Sequence, residues 1–144
     1  MPTIEPGLVL YHGTHEEFDC FESTPHDIRW AGTDIKFNTF YFTDNVEVAS
    51  TYGPRVLAVE LDLVNLRSIN ARGARWENFS VLGHLAEAFI AGCDGAIIKR
   101  IRDEHDGSGD ESNVYVAFRP DQIRILSVFG EDIDDVDRPR SARP

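Results

Sequence analysis

The chain has 144 residues, of which 42% are hydrophobic, and it carries a formal net charge of −11 at pH 7. This length and apolar share predict one compact domain, whereas the acidic balance argues against a basic nucleic-acid-binding patch, which depends on clustered Lys and Arg. The only cysteines, Cys20 and Cys93, lack the spacing of a disulfide framework or a structural zinc site.

The N-terminal residues contain no basic segment followed by an apolar core, and no apolar run approaches the roughly 18 residues that cross a bilayer. We therefore expect a cytoplasmic protein with no membrane partner. Delivery to a host by a route that needs no cleaved signal stays open.

The first elements are predicted to be short strands. Residues 8–11 form a β-branched and aromatic run that ends at His12-Gly13, which indicates a strand leading into a loop. Residues 15–38 show no clean period, so an irregular connection that covers part of a cleft is expected there. The aromatic residues 40–42 predict another brief strand.

A short helix is expected next. Asp44, placed three residues before Glu47, is typical of a helix N-cap, and Gly53-Pro54 would end that helix. Residues 57–63 then alternate between apolar and other side chains, which is the period of a half-buried strand.

The second half predicts the longest helix and the last strands. Apolar residues recur at helical spacing over 78–91, and Gly92 supplies a stop. A strand is expected to begin at Gly95. The strands 114–118 and 123–128, separated by a tight turn, are predicted to form an antiparallel pair.

These elements together predict the α+β class, with two small, mostly antiparallel sheets around a central cleft. A single domain is expected over residues 1–130. Residues 131–144 are acidic and then basic, with too little apolar mass to pack, and are expected to form a mobile tail.

One histidine and two tyrosines are the first functional candidates. His12 lies where side chains project from sheet ends into clefts, although a histidine in a surface turn would fit the same pattern. Tyr41 should face away from its two phenylalanine neighbours. With Tyr52 it could clamp a flat ring; alternatively, both tyrosines complete a core with wet hydroxyl groups.

No two histidines have the His-x-x-x-His spacing of a helical zinc site, so no metal is predicted. Arg29 and Arg55 are candidates to bind a pyrophosphate, because a guanidinium offers paired donors to phosphate oxygens. Surface arginines without that role are the alternative.

In combination, these segments resemble the histidine-tyrosine-glutamate branch of the ADP-ribosyltransferase fold, and most closely the ADP-ribosyltransferase-like domains of phage and mobile-element polyvalent proteins. The first motif of that family, His-Gly-Thr, matches residues 12–14. The second, Gly-x-Tyr-Phe-x-Asp followed by a later tyrosine, matches residues 41–44 and Tyr52. The third matches Tyr115, Phe118 and the Pro120-to-Ile123 turn.

The resemblance implies a split pair of sheets around an NAD cleft, with NAD as a substrate. By resemblance, His12 would bind the adenosine ribose, Gly13 would offer backbone groups to the nicotinamide carboxamide, and Tyr41 and Tyr52 would sandwich the nicotinamide ring. The implied NAD-contacting positions are His12, Gly13, Thr14, Tyr41, Phe42, Tyr52 and Val114.

The sequence departs from the family at the catalytic glutamate, where Val114 stands. A valine cannot accept a proton or a hydrogen bond. Asp110 and Glu111 are the nearby carboxylates that could substitute if the chain bends, beside His12 and Tyr41 as catalytic candidates; otherwise both acids are solvated loop charges.

The function expected from this resemblance is transfer of a single ADP-ribose unit from NAD to a protein or nucleic-acid acceptor, with release of nicotinamide, in a toxin-like bacterial or phage setting. Two alternatives stay open. One is a catalytically degenerate module that binds NAD or ADP-ribose, and the other is an acidic interaction protein.

Overall fold

A computed structural model describes residues 7–15, 21–23, 25–30, 32–102 and 111–130. Within these ranges lie nine strands, two α-helices and two 3-10 turns, the latter at Trp76–Asn78 and Pro120–Gln122. In chain order the elements are β1 (Leu10–Thr14), β2 (His26–Trp30), β3 (Thr33–Phe37), β4 (Phe40–Thr43), α1 (Val46–Ser50), β5 (Arg55–Leu61), β6 (Leu66–Asn70), α2 (Val81–Ile90), β7 (Gly95–Arg102), β8 (Glu111–Ala117) and β9 (Ile123–Gly130).

Seven strands form one sheet in the order β6-β7-β8-β4-β1-β5-β9, and β2 and β3 form a separate hairpin. Every neighbouring pair is antiparallel except β6 and β7. The predicted α+β class with mostly antiparallel sheets is therefore confirmed, with one large sheet and one small one.

The centre of the large sheet is split between β1 and β4. These two strands share a single registered pair, Tyr11 with Thr43, although β1 is paired along its length with β5 and β4 with β8. Each strand is thus held from its outer side while the inner sides diverge. This divergence opens a cleft between β1 and β4.

Both faces of the sheet are buried, as the alternation along β8 shows. Val114 and Val116 belong to an apolar cluster that α2 and the hairpin cover, whereas Tyr115 and Ala117 face a second cluster around Leu10 and Leu57. Side chains alternate between the faces of a strand, so these two clusters lie on opposite sides of the sheet.

The prediction of an irregular connection over 15–38 was wrong, because that segment contains β2 and β3. Ile28, Trp30 and Ile35 pack against the α2 cluster, and the Trp30 ring lies where a side chain on Gly83 of α2 would be. Tertiary packing therefore supports strands that lack a clear sequence period. Strand β6 was also not predicted.

The helix start was misplaced by one residue. The N-cap of α1 is Asn45, whose side-chain oxygen accepts a hydrogen bond from the Glu47 backbone N–H at 2.9 Å. The Asp44 carboxylate instead accepts hydrogen bonds from the backbone and side chain of Asn113, at 3.2 and 2.9 Å. Asp44 thus ties the start of α1 to β8.

The predicted pairing of the last two strands was also wrong. Strand β8 lies between β7 and β4, and β9 pairs with β5 at the sheet edge. In contrast, the strand at 40–42, the alternating strand before residue 63 and the long amphipathic helix are confirmed. Gly92, with φ of +88°, follows that helix as predicted.

Two sequence predictions fall outside the described residues: the 131–144 tail and the role of Asp110. Within the described ranges, no helix is long and apolar enough to span a membrane. The same part of the chain contains no group of three or more His, Cys, Asp or Glu side chains arranged to hold a metal ion.

Candidate functional site

A cavity of about 270 Å³ lies at the split between β1 and β4. Its volume is close to the lower end of the range for small-molecule sites, about 300–1,000 Å³, so it accommodates a ring-sized group rather than a whole dinucleotide. The cavity is lined by Tyr11, His12, Gly13, Tyr41, Phe42, Thr43, Ala49, Tyr52 and Trp76.

His12 bridges the two diverging strands with its side chain. Its Nδ1 lies 2.9 Å from the backbone oxygen of Tyr41. Because a carbonyl oxygen only accepts, the N–H must be on Nδ1, which leaves Nε2 as the acceptor atom of the neutral ring. The imidazole also packs edge-on against Phe21, with ring centroids 5.2 Å apart.

Burial lowers the pKa of His12 below its ordinary value, and the hydrogen bond to the Tyr41 carbonyl opposes that shift without reversing it. The ring is therefore neutral at pH 7. The cavity consequently has an uncharged imidazole of fixed tautomer on the β1 side.

Gly13 is required for a reason that the sequence did not indicate. A Cβ atom at this position would lie 1.7 Å from the Ala49 carbonyl oxygen of α1. The space that a side chain would occupy is filled by the helix. Glycine here lets α1 pack directly on β1, and the backbone of Gly13 still lines the cavity.

Five of the nine lining residues are Tyr, Phe or Trp, and three of them, Tyr41, Tyr52 and Trp76, bear most directly on ring binding. Tyr41 and Trp76 meet edge to face, with centroids 5.2 Å apart and ring planes at 80°, a favourable arrangement of two aromatic quadrupoles. Tyr52, which is 38% exposed, lines the same cavity from beyond the end of α1. The predicted convergence of His12, Tyr41 and Tyr52 on one cavity is what the structure contains.

Trp76 was not among the predicted site residues. It lies in a 3-10 turn between β6 and α2, in a polar stretch without periodicity. The one available signal was a lone tryptophan among charged residues, which by itself does not distinguish a ligand contact from a core contact. Only the fold brings this ring against Tyr41.

Two further predicted positions differ from the cavity-lining group. Thr14 ends β1, is registered with Arg55, and is not part of the lining. Val114 is fully buried in β8, where it is paired with Thr43 of β4 and with Ile98 of β7. Phe42, in contrast, is both a core residue and part of the cavity wall.

Of the two proposed substitute acids, the structure describes only Glu111, and it lies outside the cavity lining. The Glu111 carboxylate accepts a hydrogen bond from Arg100 Nε at 3.2 Å and is not part of the lining. Asp110 lies outside the described residues. Arg29 pairs with Asp34 in the hairpin at 3.0 Å, and neither it nor Arg55 lines the cavity.

The described lining combines a neutral imidazole, a backbone segment free of side chain at Gly13, and aromatic faces. Such a set can hold a flat ring by stacking and orient a polar group by hydrogen bonding. None of the nine lining residues is a carboxylate.

The model of a family described as "ADP-Ribosyltransferase in polyvalent proteins" matches residues 5–131, which is most of the chain. No curated protein and no solved structure was found to match it.

Proposed function

Since the chain belongs to the ADP-ribosyltransferase family of polyvalent proteins, we propose that it uses NAD as the donor and transfers a single ADP-ribose unit to an acceptor. The observation that supports this most is the cavity at the β1–β4 split, where His12, Gly13, Tyr41 and Tyr52 all contribute to one lining.

The nicotinamide ring is the part of NAD that fits this cavity. It is flat and positively charged, and aromatic faces attract such a ring both by stacking and by cation–π interaction. Tyr41, in edge-to-face contact with Trp76, forms one wall, and Tyr52 forms another. The cavity volume suits this ring, so the ADP portion would extend along the cleft outside it.

His12 and Gly13 would then position the ribose and the carboxamide. With Nδ1 committed to the Tyr41 carbonyl, Nε2 accepts a hydrogen bond from a ribose hydroxyl. A neutral ring suits this task, because a charged imidazolium would repel the cationic donor. The backbone of Gly13 offers an amide to the carboxamide. Thr14 is proposed as a support for the ribose from the adjoining end of β1.

The reaction breaks the bond between ribose C1′ and the nicotinamide nitrogen, and the bonding electrons leave with nicotinamide. Positive charge spreads over the ribose in the transition state, and family enzymes stabilise it with a glutamate. Val114 cannot do so. Glu111 is paired with Arg100 outside the cavity lining. We therefore infer that Asp110 or a carboxylate or phosphate of the acceptor supplies the negative charge, which favours single-unit transfer over polymer synthesis.

Nicotinamide release tests this proposal. The purified protein is incubated with NAD, alone and with candidate acceptors, and free nicotinamide is measured by liquid chromatography. We expect time-dependent release that Tyr52→Ala reduces, because Tyr52 is exposed enough to be changed without opening the core. Leu126→Ala, at a 41% exposed residue of β9 that does not line the cavity, is the matched control and should leave release unchanged.

The buried apolar side chain at Val114 favours a second candidate, a module that binds NAD or ADP-ribose without turnover. Calorimetry separates the two functions. Saturable NAD binding that Tyr52→Ala weakens, together with no nicotinamide release in any acceptor mixture, would select the binding module. Absence of both binding and release would contradict both candidates.

A further inference from the structure

Five of the 14 Lys and Arg residues lie at one corner of the large sheet, although the chain as a whole is strongly acidic. Three backbone hydrogen bonds of 2.7, 2.8 and 2.9 Å join residues 71–74 to residues 99–102, and a further bridge pairs Arg75 with Arg102. These contacts bring together Arg72, Arg75, Lys99, Arg100 and Arg102, which we call the basic corner.

Most of the charge in the basic corner is exposed and unneutralised by described residues. Only Arg102 is partly buried. Arg100 forms an ion pair with Glu111 at 3.2 Å, and the other four cations form no ion pair with any residue in the described ranges. Of the nearby described carboxylates, Asp44 is engaged by Asn113, and Glu77 is exposed beside Trp76.

The basic corner adjoins the cavity on the side opposite to His12. Arg75 immediately precedes Trp76, whose ring lines the cavity. In the sheet, β7 is separated from β1 by β8 and β4. Arg75 therefore flanks the Trp76 wall, and His12 lies on the far strand of the split. A donor bound at the His12 side would therefore meet an acceptor arriving from the basic corner.

We propose that the basic corner and Trp76 dock a single-stranded nucleic acid, and that a terminal phosphate of this strand is the acceptor of ADP-ribose. The second part rests on the proposed function. Clustered cations beside a partly exposed aromatic ring are the combination that binds single strands, through phosphates and stacked bases. Arginine forks suit phosphate oxygens in particular.

A phosphate acceptor would also need no general base, which is the group that the described cavity lining lacks. Val114 replaces the family glutamate, and no described lining residue can take a proton from a hydroxyl acceptor at pH 7 except His12, whose pKa is lowered. A terminal phosphate is already anionic and needs no base. Its oxygen forms a bond to C1′ while nicotinamide leaves with the electrons of the broken bond, and the phosphate dianion becomes a monoanionic diester.

Docking is tested without NAD by fluorescence anisotropy, using labelled single-stranded DNA and RNA of about 12 nucleotides, within the usual site size. We expect four phosphate contacts, one each from Arg72, Arg75, Lys99 and Arg102. Each contact contributes about 0.7 to the slope of log affinity against log salt concentration, so affinity falls about 50-fold between about 50 and 200 mM salt. The double variant Arg75→Gln with Lys99→Gln retains two contacts, so its fall is about 7-fold.

Arg124→Gln is the matched control, because Arg124 is an exposed arginine on β9 at the other sheet edge. It should leave the affinity and its salt dependence unchanged. No binding at low salt, or an equal loss in Arg124→Gln and the double variant, would overturn the docking surface. So would preferential binding of an acidic peptide, or a double variant that weakens NAD binding instead.

The acceptor is tested with NAD labelled in its ADP-ribose part and oligonucleotides that end in a phosphate or a hydroxyl. Transfer to the phosphate-ended strand alone is expected. With the oligonucleotide below saturation, transfer should fall about 50-fold between about 50 and 200 mM salt, and about 7-fold over the same range in the double variant. Equal transfer to hydroxyl ends would overturn the phosphate acceptor. Nicotinamide release without oligonucleotide labelling overturns the phosphate acceptor and leaves the proposed function standing. Oligonucleotide binding without NAD binding leaves the docking surface standing and overturns the proposed function.

Discussion

Replacing Val114 by glutamate, the residue that the resemblance to the histidine-tyrosine-glutamate branch implies there, is expected to destabilise the protein rather than activate it. Val114 is fully buried among apolar side chains, between Thr43 and Ile98. A longer side chain costs about 1–3 kcal/mol of overpacking, and burying its carboxyl group costs about 1–3 kcal/mol more. The sum, about 2–6 kcal/mol, is large beside a typical unfolding free energy of about 5–15 kcal/mol.

Val114→Gln is the control, since a glutamine side chain has nearly the shape and polarity of a protonated glutamate side chain but cannot ionise. Burial raises the pKa of a carboxyl group, so the folded Val114→Glu variant holds its proton after the unfolded chain has released it at about pH 4.3. The unfolded state then binds fewer protons, and stability must fall as pH rises, by about 1.4 kcal/mol per pH unit until the folded pKa is reached.

Urea unfolding of both variants at pH 5 and pH 8 measures this difference. Similar stabilities at the lower pH and a clearly weaker glutamate variant at the higher pH are expected. If the glutamate variant is as stable as the glutamine variant at pH 8 and releases nicotinamide faster than the wild type, the side chain at position 114 reaches the cavity and our account of that position is wrong.

Gly13→Ala should lower the free energy of unfolding in urea by about 2–4 kcal/mol, because its methyl group would lie 1.7 Å from the Ala49 carbonyl oxygen. Gly92→Ala is the control, because its methyl group meets nothing within 4 Å. It should cost only about 1–2 kcal/mol of backbone strain. The lowered pKa of His12 predicts a contribution to stability that is fully present above about pH 6.5 and is lost as pH falls towards the folded pKa. His12→Asn should abolish this part of the pH dependence of unfolding. An unchanged pH profile in that variant would contradict the prediction. Trp76→Ala should weaken NAD binding about tenfold by calorimetry, which is equivalent to about 1.4 kcal/mol of lost ring contact. Trp76→Phe should weaken binding less. If both variants bind NAD as tightly as the wild type, Trp76 is not part of the site.

The sequence was most informative where local pattern and tertiary contact agree. The alternating strand β5 and the amphipathic helix α2 follow from periodicity alone, because each buries one regular face. The convergence of His12, Tyr41 and Tyr52 was expected from the family motifs. The first motif lies on β1 and the second begins on β4, the two strands that border the split.

The parts that were missed depend on contacts that no local pattern encodes. Strands β2 and β3 exist because their apolar residues have α2 to pack on. The N-cap of α1 is Asn45 because Asp44 is engaged by Asn113, far along the chain. Likewise, Trp76 becomes a site residue only because the fold brings it against Tyr41.

The basic corner is a similar case. The net charge of −11 led us to expect no basic patch, but net charge does not report how charges are distributed in space. Pairing of residues 71–75 with 99–102 gathers cations that are separated by more than 20 positions in the sequence. Such a surface can be found only after the sheet topology is known.

The fluorescence of Trp76 tests the central claim, that the β1–β4 cavity binds the nicotinamide end of NAD. In a Trp30→Phe background Trp76 is the remaining tryptophan, and it lines the cavity. NAD titration should change its emission saturably, and Tyr52→Ala should weaken that response. Nicotinamide release accompanied by no change in Trp76 emission, or a response unaffected by Tyr52→Ala, would locate the donor elsewhere and contradict the account.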